Sequence, residues 1–413
     1  MNAAAAAETA ARHSYGRLLA WLAWQWRDVA AAEDALAEAF ATALERWPVD
    51  GVPDAPDAWL LSAARRRLLM AARRQRLADD PALTILWPGA DDPAPDAPIL
   101  PDTRLRLMFV CAHPAIAVDV HSALMLQTVL GLDAARIASA FLVKPEAMTK
   151  RLVRAKAKIR ATGLRFEEPE PREWSERLAS VLEAIYGAYT LHWGQADDAG
   201  SGQLAGEAMF LAELVAAHLP AEPEALGLVA LLWLCEARRA ARAEVFQPLH
   251  EQDPARWDHS LLARANAALL QAAAHRCAGP FQLEAAIQSA HVQGRVDGAV
   301  WWAGIVRLYE QLLALAPTVG ARIAHAVAVA HATPDPRAGL RLLEGLEAAR
   351  IASHQPWWAA RAHLLSMADD PVEAEAAYGR ALALTVEPRL REWLDQRRLA
   401  EAARVSASRP AAS

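Results

Sequence analysis

Apolar residues return every three to four positions along almost the whole of this 413-residue chain, and no alternating Val, Ile and Thr run bounded by hairpin signals interrupts them. A stretch patterned at 3.6 residues cannot lie in a sheet with one dry face, because its apolar side chains would point to both sides of the strand. The chain is therefore predicted to be all-α. Its 25 prolines punctuate the helices. A hydrophobic share of 54% against 22% charged residues supplies ample core for a globular protein.

Two breaks divide the pattern. Residues 78–102 hold six prolines and six aspartates, a composition that resists packing and reads as an acidic tether. A second, FEEPEPR, lies at 166–172. The expected organisation is a helical unit over 10–77, the tether over 78–102, a second unit over 103–163 and a helical extension over 174–405. Within the extension, candidate first helices begin near Phe281, Gly320 and Pro356, spaced 39 and 36 residues apart, each followed by a second helix. Such pairs resemble tetratricopeptide (TPR) repeats, which stack because no pair buries its apolar face alone.

The run from Gly131 to Arg160 reads as two short helices joined by a tight turn at Leu142, Val143 and Lys144. Asp133 suits the cap of the first, whose Ile137, Ala138, Phe141 and Leu142 share a face. Pro145 suits the first turn of the second, where a missing amide hydrogen costs nothing. There Met148, Leu152, Ala155 and Ile159 form an apolar stripe, while Lys150, Arg151, Arg154 and Lys158 gather on another flank. Lys144 to Arg165 contains eight basic residues and one acid, in a chain of net charge −6. That is the pattern of a helix-turn-helix facing DNA phosphates, whose binding weakens as salt rises.

A second cationic helix is expected to start on an Asp54 cap, with Pro56 in its first turn and Asp57 at its third position. It bears Arg65, Arg66, Arg67, Arg73, Arg74 and Arg76 with no acid between them, preceded by Trp59. Before it, residues 33–47 form an amphipathic helix with Leu36, Phe40, Leu44 and Trp47 inward and Asp34, Glu38 and Glu45 together on the opposite face. Residues 1–162 carry 20 basic and 18 acidic side chains, the remainder 23 and 31, so the front of the chain suits nucleic acid better than the back. Cys111, Cys235 and Cys277 are far apart and show no metal-ligand spacing, and Cys111 with His113 supplies two ligands at most. The start lacks a leader pattern, and the longest notable uncharged run, Ala225 to Cys235, is too short to cross a bilayer. A cytoplasmic protein away from any membrane is expected.

In order and in kind these segments resemble bacterial RNA polymerase sigma factors of the extracytoplasmic-function type, in the sigma-70 family. AAEDALAEAFATALERW and PDAWLLSAARRRLLMAARRQR look like region 2 of that family, and GLDAARIASAFLVKPEAMTKRLVRAKAKI looks like region 4. RLRLMFVCAHPAI, SERLASVLEAIYGAY, EQDPARWD, GPFQLEAAI and LAPTVGARIAHAVAVA resemble the ECF42-like subgroup, whose TPR-like extension contains the DUF6596 region.

The resemblance implies a non-enzymatic subunit without cofactor or metal that binds core polymerase, selects a promoter and helps melt it. By the same likeness, Asp34, Glu38 and Glu45 would meet the β′ clamp helices, and the chain would also engage the β flap. Trp59, Arg65, Arg66, Arg67, Arg73, Arg74 and Arg76 would face the minus-ten element. Lys144, Thr149, Lys150, Arg151, Arg154 and Lys158 would enter the major groove at the minus-thirty-five element. The extension would act in place of an anti-sigma factor, beside a small DGPF-motif (YCII-like) protein. Arg66 and Met70 stand where the family commonly has Asn and Asp. A stand-alone helix-turn-helix regulator with a TPR sensor would need the basic helices but not the acidic one.

Overall fold

The computed structural model describes residues 3–79, 102–141, 143–162, 169–193, 201–242, 245–346, 351–352 and 354–408. Most of the tether at 78–102, part of the break at 166–172 and Leu142 of the turn lie outside them. Every regular element among the described residues is helical, as the periodicity predicts. They fall into two compact units, one reaching Trp193 and taking in 201–211, the other starting at Ala212.

The first unit begins with α1 (Ala3–Trp26), α2 (Val29–Asp50) and α3 (Pro56–Asp79), with α1 against both of its successors. Asp28 caps α2 by accepting from the Ala31 amide at 3.0 Å. The buried face of α2 is Val29, Ala32, Ala35, Leu36, Ala39, Ala43 and Trp47. Leu44, expected inward, is 52% exposed, because it sits about 100° round the helix from Ala43. Asp54 lies one residue too early to cap α3, where the Ala55 carbonyl accepts from the Trp59 amide at 3.2 Å. Asp57 instead ties α3 to α1, accepting from Ser14 Oγ at 2.6 Å and Arg17 at 2.7 Å.

The same unit continues through α4 (Thr103–Cys111), α5 (Val118–Thr128), α6 (Ala134–Ala140), α7 (Pro145–Thr162) and α8 (Pro171–Trp193). Helix α1 also lies against α4 and α5. A Cβ on Gly16 would stand 1.9 Å from the Val129 carbonyl oxygen, so this approach requires glycine. Arg106, nearly buried, places its guanidinium 3.6 Å over the Trp24 ring. Leu19, Leu22, Leu36 and Leu60 on one side of the tether and Leu105, Leu107, Phe109 and Leu124 on the other are all fully buried. Each contributes roughly 1.5–3 kcal/mol relative to exposure.

Helix α8, which the sequence assigns to an extension starting at 174, packs on α4 and α5. The Trp174 indole donates to the Pro169 carbonyl at 2.8 Å, and Arg177 donates to the Phe109 carbonyl at 3.2 Å. The buried His121 ring bridges Ser180 Oγ and the Ile116 carbonyl, both at 3.1 Å. Helix α9 (Ser201–His218) carries the chain from one unit to the next.

In the second unit α10 (Pro223–Glu236) is buried almost all round, between α12 (His259–Ala274) and α13 (Pro280–Asp297). Between α10 and α12 come the one-turn α11 (Arg239–Arg242) and two short 3₁₀ turns. Glu224 of α10 caps α13, accepting from the Phe281 and Gln282 amides at 3.0 and 3.1 Å. The expected pairs follow: α13 with α14 (Trp302–Leu315), α15 (Val319–Ala332) with α16 (Arg337–Glu344), and α17 (Gln355–Met367) with α18 (Pro371–Ala383). Helix α19 (Pro388–Ser408) covers α18.

Candidate nucleic-acid interface

The cap, the helix start and the buried stripe of α6 and α7 are built as the sequence prescribes. Asp133 accepts from the amides of Ala135 and Arg136, both at 2.9 Å, and α7 starts on Pro145. In the turn, the Val143 amide donates to the Ala138 carbonyl at 3.0 Å. Met148, Leu152, Ala155 and Ile159 are buried, which fixes the rotation of α7 about its axis. Lys144, Thr149, Lys150, Arg151, Arg154 and Lys158 are accordingly exposed. Thr149 Oγ donates back to the Pro145 carbonyl at 3.0 Å, satisfying part of its polar capacity locally. Phe141, expected on the buried face with Ile137 and Ala138, closes α6 and is 37% exposed.

The cationic helix α3 is divided in its loyalties. Arg65, Arg66 and Arg73 are exposed, whereas the side chains of Arg74 and Arg76 lie outside the described residues. Arg67 turns to α2, where it pairs with Glu38 and donates to Thr42 Oγ at 2.9 Å. Trp59 is half-buried and meets the buried Trp47 edge-on at 5.6 Å. These two side chains brace α3 against α2, a role their sequence positions did not reveal.

On α2, Asp34, Glu38 and Glu45 are exposed on one face as predicted, with the Glu38 charge answered by Arg67. Leu44 of the same helix is a water-facing apolar group that the sequence placed inside. Glu33, one residue before Asp34, pairs with Lys156 of α7. An acidic and a basic helix from opposite sides of the 78–102 tether are thereby joined.

The pair tempting as metal ligands is differently employed. Cys111 is buried with its thiol pushed up to about 12 by burial, and its sulfur lies 3.6 Å from Thr128 Oγ. His113 Nδ1 accepts from the Ala115 amide at 3.0 Å. Among the described residues, no group of three or more His, Cys, Asp or Glu side chains is arranged to hold a metal, and no helix is long and apolar enough to cross a membrane.

An uncharacterized protein of Rhizobium meliloti (strain 1021) is 35% identical to this chain over 370 residues, covering 87% of each. The chain belongs to that protein's family. Residues 177–273 also match the family of unknown function DUF6596. That stretch begins within α8 and ends within α12, so it takes in the helix that closes the first unit and the opening helices of the second. No solved structure matches the chain.

Proposed function

We propose that the protein is a sigma factor: a dissociable subunit that brings core RNA polymerase to a promoter and helps to open it. The observation that carries this reading is α7, whose buried stripe of Met148, Leu152 and Ile159 holds Lys150, Arg151 and Arg154 outward on the second helix of a helix-turn-helix. Its exposed cations would neutralise phosphates at the minus-thirty-five element. Arg65, Arg66 and Arg73 of α3 would do the same at the minus-ten element. Arg67 and Trp59 would hold α3 in place rather than touch bases.

The acidic face of α2 supports polymerase binding over a purely DNA-bound regulator. Asp34 and Glu45 are exposed on the helix that also exposes Leu44, and carboxylates beside an apolar contact suit a basic coiled coil such as the β′ clamp helices. The carboxy-terminal unit would bind a protein, in keeping with its stacked helix pairs. The protein would work in the cytoplasm without a cofactor and without covalent chemistry of its own. Run-off transcription with purified core polymerase tests the reading. Specific transcripts that depend on the added protein are expected; DNA binding without comigration with polymerase would favour the stand-alone regulator.

A further inference from the structure

The motif EQDPARWD is not among the residues assigned above to DNA or polymerase, and it lies in the second unit on a stretch that belongs to no helix pair. From Phe246 to Trp257 the chain makes two 3₁₀ turns, Leu249–Glu251 and Pro254–Arg256. The far half is anchored. Gln252 and Trp257 are buried, the Gln252 carbonyl accepts from Arg295 Nε at 3.0 Å, and the Asp258 amide donates to the Ala237 carbonyl at 2.8 Å.

The near half reaches α19. Glu251 accepts from the Trp393 indole at 3.2 Å and from the Arg397 guanidinium, partners 142 and 146 residues away in sequence. Arg397 itself lies 5.1 Å over the Trp393 ring, and Phe246 meets that ring edge-on at 5.6 Å. His250 Nε2 is 3.4 Å from the same carboxylate. Three histidines of the repeats' first helices make a row of rings with Trp302, the first residue of α14. His331 stacks on Trp302 at 4.2 Å and sets its Nε2 3.1 Å from that of His363, while His291 meets Trp302 at 5.3 Å.

Guanidinium and indole donors for a carboxylate, beside an aromatic wall for a ring, make a receptor for an acidic peptide. The contact is open to exchange, since the side chains of Arg397 and His250 are 46% and 65% exposed and such ion pairs are weak. We infer that Trp393 and Arg397 form a docking site for a partner peptide that carries an aromatic residue a few positions ahead of a glutamate or aspartate. Phe246 and Glu251 occupy that site as an internal stand-in, which the partner displaces. A peptide fits better than a small dicarboxylate because the resident carboxylate arrives with a ring, and a small anion would leave the Trp393 wall wet. Displacement swings residues 246–251 while Gln252 and Trp257 keep the remainder seated. This docking site is independent of polymerase binding and stands or falls without it.

The test uses the full chain and a labelled synthetic peptide with the sequence of residues 245–252, VFQPLHEQ, followed by fluorescence anisotropy. Glu251→Ala should bind the peptide at least about 10-fold more tightly than the unaltered chain, since the stand-in no longer competes. Adding Arg397→Ala to that variant, or replacing the peptide's glutamate by glutamine, should abolish the gain. Equal binding by Glu251→Ala and the unaltered chain, or full affinity for the glutamine peptide, overturns the inference. Displacement of the peptide by equimolar glutarate overturns the peptide assignment. Should circular dichroism show Glu251→Ala unfolded, Glu251→Gln, which keeps the side-chain volume, serves for the same comparison.

Discussion

Lys156, on the helix expected to read DNA, closes on Glu33, one residue before the acidic face of α2, and both side chains are largely shielded from water at 15% and 18% exposure. Removing one member of a shielded pair strands the other, which costs more than the pair itself contributes. Lys156→Ala or Glu33→Ala should destabilise the first unit by about 1–3 kcal/mol, and the double variant by less than the sum. A double-mutant cycle by urea denaturation measures the coupling. Strict additivity would show that the two charges do not interact.

Arg151 and Arg154 extend from α7 without forming its buried face. Replacing either by alanine should leave stability within about 0.5 kcal/mol and lower the slope of log affinity against log salt by about 1 for each phosphate left without its cation. Filter binding or anisotropy on a promoter duplex at several salt concentrations provides the check. An unchanged slope for both variants would remove α7 from the DNA.

Charge reversal on α2 should be graded by what each carboxylate already touches. Asp34→Arg and Glu45→Arg should each weaken polymerase binding by about 10-fold, roughly 1.4 kcal/mol. Glu38→Arg should change it less, because Arg67 already neutralises that carboxylate. Native-gel comigration with core polymerase ranks the three, and the reverse order would contradict the assignment of this face.

Burial, reinforced by neighbouring cationic groups, lowers His291 and His363 to about 4. Unfolded, each takes up its proton near pH 6.5. Between these values the unfolded chain holds more protons than the folded one, so their contribution is complete above pH 6.5 and is lost as pH falls toward 4. The urea midpoint of the second unit should therefore drop between pH 7 and 5, and His363→Gln should flatten part of that drop. A midpoint that stays level over this range would contradict the burial of both rings.

Regular, local features were legible in the sequence. The helical class followed from one periodicity, and the Asp133 cap, the Pro145 start and the stripe from Met148 to Ile159 follow from spacing within a dozen residues. Leu44 and Phe141 were misplaced because a single-residue rotation decides their side, and the packing that sets it comes from other helices. Helix α8 is amphipathic wherever it is put; its sequence does not say that α4 and α5 cover it. The braces Arg67 with Glu38, Lys156 with Glu33 and Arg106 on Trp24 join residues 29, 123 and 82 positions apart, through pairings that no periodicity encodes.

Helix α1 is a party wall. Trp24 receives Arg106, Gly16 admits the Val129 carbonyl, and the side chains of Leu19 and Leu22 are fully buried. Cutting the chain at the tether to obtain either neighbour alone would leave that wall bare, inviting aggregation of fragments that look separable on paper. A shortened protein meant to keep this front half whole should retain α8 and the start of α9 through Leu211, since stopping before Trp174 strips α8 from the face it seals.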